Sequence, residues 1–189
     1  MIRFALLLFA ATMQPVFAQT SFMGIPLDSP FPGEITECPK MVGFHMVDRN
    51  RLKEVGTCYF MENVDKPNNF TISNGPDLGI GHVLTIETYE EMPIFFKFSF
   101  NKAKYDQAVD IFVTRYGKPQ KVYRETVRTR AGAAFDSRTN IWDSAKLRIQ
   151  LDEIGKNVQW ADATIINVPV FNSMTKKKKE DAKAAAEKL

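Results

Sequence analysis

Between Ile94 and Phe100 every second residue is large and apolar (Ile94, Phe96, Phe98, Phe100), while Phe95, Lys97 and Ser99 occupy the positions between. A period of two puts one set on one face of a strand and demands that this face be buried. The next segment supplies a cover. Tyr105, Ala108, Val109, Phe112 and Tyr116 follow at the spacing of a single apolar helical stripe, with Lys102, Lys104, Asp106, Asp110 and Arg115 left for water. Asn101 is placed to accept a backbone N–H at the helix start, Gly117 supplies the stop, and Pro119 forbids continuation. A strand with one greasy face followed by a one-sided helix predicts a sheet with a helix packed on it.

The flanking sequence extends the sheet. Val83–Thr88 predicts a strand that turns at Tyr89–Pro93 into the Ile94–Phe100 strand. After the helix come strand candidates at Lys121–Thr129, Leu147–Leu151 and Ala163–Val170, with Ile141-Trp142 as a short strand or packing anchor. Arg124–Asn140, with Gly132, reads as containing a hairpin turn. No helical pattern separates the last strands, which predicts an α+β fold with an antiparallel sheet and one amphipathic helix. Upstream, Gly56–Glu62 reads as a strand and Asp65–Gly81 as a loop interrupted by Phe70-Thr71-Ile72. The segment 22–40 carries Pro26, Pro30, Pro32 and Pro39 and predicts irregular structure held against the body.

Residues 1–18 have the parts of a cleavable export signal: Arg3, an apolar run from Phe4 to Ala11, and Val16-Phe17-Ala18 before the cleavage position. The run is far short of the roughly 20 apolar residues that span a bilayer. The expectation is an exported chain, periplasmic or secreted, with a single domain over 19–175 and a basic, flexible or marginally helical tail over 176–189. Export also bears on the only two cysteines, Cys38 and Cys58, which an oxidising compartment joins as a disulfide. Neither forms a C-x-x-C pair or lies in a cluster with His45 or His82, the only histidines, so no metal site and no cofactor is expected.

Charge is unevenly placed. The formal net charge is +3, with 25 Lys and Arg against 22 acids. Arg3 accounts for one of these charges, and the tail, six Lys against three acids, accounts for three more. The body over 19–175 then has 18 basic and 19 acidic residues, net −1, which excludes a basic nucleic-acid-binding domain. Two basic groupings remain as candidate contact sites. Arg124, Arg128 and Arg130 share one face of their strand and form a possible anion-binding face, with edge protection as the competing use. Lys176, Lys177, Lys178 and Lys179 begin the tail and support at most weak peripheral membrane contact, because Glu180, Asp181 and salt screening oppose it.

Pro26-Leu27, Glu37-Cys38-Pro39, Thr57-Cys58-Tyr59, the helix exit Arg115-Tyr116-Gly117-Lys118-Pro119 and Trp142 together resemble a set of small exported proteobacterial proteins with two cysteines and a KYGKP-type helix end. Arg115 stands where that pattern has lysine. The resemblance covers most of 22–170 and implies location and fold; it transfers no activity and no functional residue.

Catalytic signatures are missing. There is no G-x-S-x-G elbow, H-E-x-x-H pair, phosphate-binding loop or calcium loop. The sequence therefore favours a non-enzymatic exported binding or envelope-accessory protein, its partner a protein or another envelope component. Two rivals stand beside it: a small exported hydrolase using His45 or His82 with distant carboxylates, and an inhibitor or immunity-type protein that fills another protein's cleft. The clustered acids Glu87, Glu90 and Glu91, and Asp152-Glu153, read as solvated turn residues, with paired-carboxylate chemistry as their alternative use.

Overall fold

The computed structural model describes residues 21–41, 47–61, 65–129 and 131–188. The elements in chain order are β1 (Ser21–Phe22), β2 (Ile25–Pro26), β3 (Thr36–Glu37), β4 (Cys58–Phe60), β5 (Asn69–Ser73), β6 (Val83–Tyr89), β7 (Met92–Asn101), α1 (Tyr105–Tyr116), β8 (Lys121–Arg128), β9 (Ala134–Asp143), β10 (Leu147–Asp152), β11 (Trp160–Asn167) and α2 (Val168–Ala186). β1 and β2 form a two-stranded sheet, and the other nine strands form one sheet in the order β3-β4-β5-β6-β7-β11-β10-β9-β8.

The alternation in β7 sets the architecture. Phe96, Phe98 and Phe100 are fully buried and lie between Ile86 and Leu84 of β6 on one side and Ile165, Ala163 and Ala161 of β11 on the other. Ile149 and Leu151 of β10 and Trp142 of β9 continue the same buried face. The helix stripe covers it. Tyr105, Ala108 and Phe112 are buried, and Phe112 stacks on Phe98 with ring centroids 6.0 Å apart. Asn101 accepts from the Ala103 N–H, so it caps a short 3-10 turn, Lys102–Lys104, that leads into α1. Gly117, with φ +77°, ends the helix, and its carbonyl accepts the Trp142 indole N–H at 2.7 Å. The proline-rich segment covers the other half of the sheet, with Phe22, Ile25, Leu27 and Phe31 buried.

The sheet departs from the expected antiparallel arrangement at its first edge, where β3 pairs with β4 in parallel. The disulfide lies at this edge. Cys38–Cys58 holds the two cysteine Cα atoms 5.0 Å apart, both residues are buried, and the Cys38 N–H donates to the Tyr59 carbonyl at 2.8 Å. Three segments differ from the sequence expectation. Asn69–Ser73, expected as an interruption in a loop, is a full strand between β4 and β6. Ile141-Trp142 belongs to a ten-residue strand, β9, paired with β8 along its length. Val168, Pro169 and Val170, expected to end a strand, form the first turn of α2. Proline tolerates the first helical turn because its missing N–H has no partner there. Docking of Phe171 against Phe95, with ring centroids 5.9 Å apart, holds that turn on the sheet face opposite α1.

β6 and β7 are joined through Glu90 and Glu91, which have φ of +49° and +65°. Two left-handed residues are what a two-residue hairpin matching strand twist requires, and Asn-Gly is the usual solution. Here the turn carries two attachments. The Phe31 N–H donates to the Glu91 carbonyl at 2.8 Å, and Lys177 Nζ of α2 lies 2.6 Å from Glu90 Oε1. No helix among the described residues is long and apolar enough to cross a membrane.

Candidate interaction site

The two edges of the large sheet are unequal. β3 has two residues, whereas β8 has eight and, among the described residues, no strand beyond it. Seven of the eight β8 residues are exposed. Large apolar side chains lie there in water: Val122 and Tyr123 each retain 51% of their surface, and Phe135, on the adjoining β9, retains 37%.

The direction of the free backbone groups on β8 follows from its neighbour. Arg124 lies opposite Arg138 in the β8–β9 register. Arg138 spends its backbone on the other side: its carbonyl accepts the Glu153 N–H at 2.8 Å and its N–H donates to Glu153 Oε2 at 3.1 Å. The Arg124–Arg138 pair is therefore a non-hydrogen-bonded one, and Arg124 turns its N–H and C=O to the open edge. With period two, Val122, Thr126 and Arg128 do the same.

Arg138 is the hub of the surface beside that edge. Its Nε lies 2.9 Å from Glu153 Oε2 and its Nη2 lies 2.8 Å from Asp106 Oδ1, at the start of α1. Lys102 Nζ stands 3.7 Å from Glu153 Oε1. Burial pushes the Glu153 carboxyl up, but the hydrogen bonds and charge of Arg138, with Lys102, outweigh it and hold the group below its ordinary range. The Arg138 guanidinium also lies 4.9 Å from the centre of the Tyr105 ring. Tyr105 is buried, and its hydroxyl accepts from Asn140 Nδ2 at 2.8 Å with the Leu151 and Arg138 carbonyls 3.2 and 3.1 Å away. Burial of the phenol pushes it up to about 12, so it stays a neutral hydrogen-bonding group. Two concavities meet at Arg138 and Glu153. One, of about 610 Å³, is walled by Asn101, Lys102, Asp106 and Gln159; the other, about 440 Å³, lies under β8 between Arg124, Thr126 and Asp136.

The residues singled out from the sequence fall in separate places. Arg124 and Arg128 share the α1 side of β8, four residues apart and exposed, while Arg130 lies outside the described residues. Lys176–Lys179 lie exposed on α2, where Lys177 pairs with Glu90 and Lys176 stands 3.9 Å from Glu180. His45 lies outside the described residues. His82 precedes β6 with its ring 5.4 Å from Phe98; burial lowers its proton affinity, with Asp77 pulling the other way.

Four of the clustered carboxylates have local partners: Glu87 with Lys97, Glu90 with Lys177, Asp152 with Thr139 and Gln150, and Glu153 with Arg138. β10, which carries Asp152, is three strands from β6, about 14 Å at the usual strand spacing, and Glu87 lies five residues along the chain from His82, about 16 Å in extended backbone, with Glu90 farther still, so His82 and these acids are not brought together. No group of three or more metal-ligating side chains occurs among the described residues. The Arg138 hub had no sequence signal, because its partners lie 15 and 32 residues away.

No family model, no curated protein and no solved structure matches this chain.

Proposed function

We propose that this chain is an exported, non-enzymatic binding protein that engages a protein partner along β8. The observation that carries the reading is the open eight-residue edge, with its outward N–H and C=O groups and exposed Val122 and Tyr123. An added strand satisfies those backbone groups, and neighbouring side chains select the partner. The short β3 edge offers two residues and is fastened by the disulfide. Contact through Lys176–Lys179 is secondary, because Lys176 and Lys177 already face acids on this chain.

A photo-cross-linking residue at Tyr123 tests the reading in cells, with the same residue at Lys183 as control. The expected result is one discrete adduct from position 123 at near-equal stoichiometry. It should be retained in a chain ending at Thr175 and lost in Thr126→Pro, which removes an outward N–H and leaves the β9 ladder in place. A thermal melt establishes that this variant is folded. No adduct at position 123, or one that survives in folded Thr126→Pro, overturns the proposal.

A further inference from the structure

We infer that the segment taken up by β8 is an extended acidic strand whose carboxylates lie four residues apart; this inference rests on the binding reading of β8. Val122, Arg124, Thr126 and Arg128 project to the α1 side of the sheet, in register with Asn140, Arg138, Asp136 and Ala134 of β9. A tenth strand would set its own alternate residues beside this row. Arg124 and Arg128 are about 13 Å apart along the strand, the separation of residues i and i+4 in a partner strand. Neither forms an ion pair among the described residues, in contrast to Arg138 with Glu153 and Arg148 with Asp143. Thr126, between them, directs its hydroxyl to Asp136 on the β9 side.

Charge selects the sign of the partner. Residues 118–138 hold six basic and two acidic side chains, net +4, within a body whose net charge is −1. The positive charge of the domain is thus concentrated on the hairpin that ends the sheet. On the other side of β8, Tyr123 and Val127 lie either side of Glu125, with Phe135 opposite Val127, and offer two apolar positions. The complementary strand alternates accordingly, with acids on one face and β-branched or aromatic residues on the other.

A second copy of this chain fits less well. Twofold antiparallel pairing that continues the sheet must centre on a residue. Such pairing sets even positions opposite even ones, so no register within β8 gives Arg124 or Arg128 a carboxylate, the one acid of the strand being Glu125, and centring on Arg124, Thr126 or Glu125 also sets like charges together. Like charges directly opposite are destabilising.

The test uses labelled nine-residue peptides of alternating Val and Thr, titrated into the full chain without its first 18 residues. One carries Glu at positions 3 and 7, a second Glu at 3 and 6, and a third Lys at 3 and 7. The first should bind at least about tenfold tighter than the Lys peptide, since two cross-strand pairs of each sign differ by roughly 1.4 kcal/mol or more, and about two- to fivefold tighter than the second, which keeps one of the two pairs. Its binding should weaken with salt, slow amide exchange along β8, and fall about tenfold in the double variant Arg124→Ser/Arg128→Ser. The double variant Arg124→Glu/Arg128→Glu should transfer the preference to the Lys peptide. Equal binding of the three peptides, no binding, or β8-dependent self-association in sedimentation overturns the inference. A Tyr123 adduct in cells alongside indifferent peptides removes the acidic preference and leaves the β8 reading standing; absence of the adduct removes both.

Discussion

Asn167, at the end of β11, is 2% exposed, and its Nδ2 donates to the Leu27 carbonyl at 2.7 Å and to the Pro93 carbonyl at 2.8 Å. One amide thus ties the N-terminal cover, the start of β7 and the junction of β11 with α2. Asn167→Ala deletes two hydrogen bonds and leaves two buried carbonyls each short of a donor. At about 1–2 kcal/mol for each site, the cost is about 3 kcal/mol. In a chain of this size that lowers Tm by about 6–12 °C. Asn167→Asp separates hydrogen bonding from volume, since the side chain keeps its shape but faces two carbonyl oxygens with no donor when ionised.

That carboxyl should have a folded pKa above its unfolded value near 3.9, because only its protonated form can donate. The sign follows from proton counting. Below pH 3.9 the group is protonated in both states and costs least. As pH rises toward the folded value the variant loses about 1.4 kcal/mol per unit, then levels off. Urea melts of Asn167→Asp and Asn167→Ala at pH 4 and pH 7, followed by tryptophan fluorescence, provide the measurement. The aspartate variant should gain stability relative to the alanine variant on going to pH 4. Parallel behaviour of the two, or a cost under about 0.5 kcal/mol for Asn167→Ala, would refute the role given to this amide.

Other substitutions probe the remaining supports. Tyr105→Phe takes the acceptor from buried Asn140 and should cost about 1–3 kcal/mol in urea melts, while Tyr105→Phe/Asn140→Leu should recover part of the loss. Breaking Cys38–Cys58, whose partners are 20 residues apart, should cost about 3 kcal/mol, seen as a fall of about 1–2 M in the urea midpoint. Glu91→Gly should raise stability by about 0.5–1 kcal/mol because φ at that position is +65°, with a higher Tm as the readout. Arg138→Met acts through pH. The depressed Glu153 carboxyl contributes stability that is present above about 4.5 and lost as pH falls through its lower folded value. The difference between wild type and variant should therefore shrink in melts taken from pH 6 down to pH 3.

What could be read from the sequence was what repeats locally. The β7 alternation, the α1 stripe and the Asn101 and Gly117 signals are patterns within a dozen residues, and the structure reproduces them. The cysteine pair was legible because only one pairing exists. Parallel pairing of β3 with β4 was not legible, since two residues carry no periodicity and a single cross-link fixes their nearness but not their direction. β5 was hidden by its length: Phe70-Thr71-Ile72 is too short to show alternation, and only contact with β4 and β6 makes it a strand. Val168–Val170 misled because β-branched residues favour strands, whereas Pro169 and the docking of Phe171 on Phe95 decide for helix.

The site shows the same division with a different consequence. The sequence could place Arg124 and Arg128 on one face, because that needs only a strand. It could not say whether the face was free, because this depends on which strand ends the sheet. Arg138 makes the point sharply: it stands directly across from Arg124, carries the same charge, and is held by Glu153, just after β10, and by Asp106 of α1. Two arginines side by side on adjacent strands repel, and the structure relieves that repulsion by satisfying the inner one alone. The outer arginine is left with its charge, its backbone groups and an open edge. A carboxylate that arrives on an incoming strand answers all three at once, which is why the acidic partner follows from the sheet order and not from the count of basic residues.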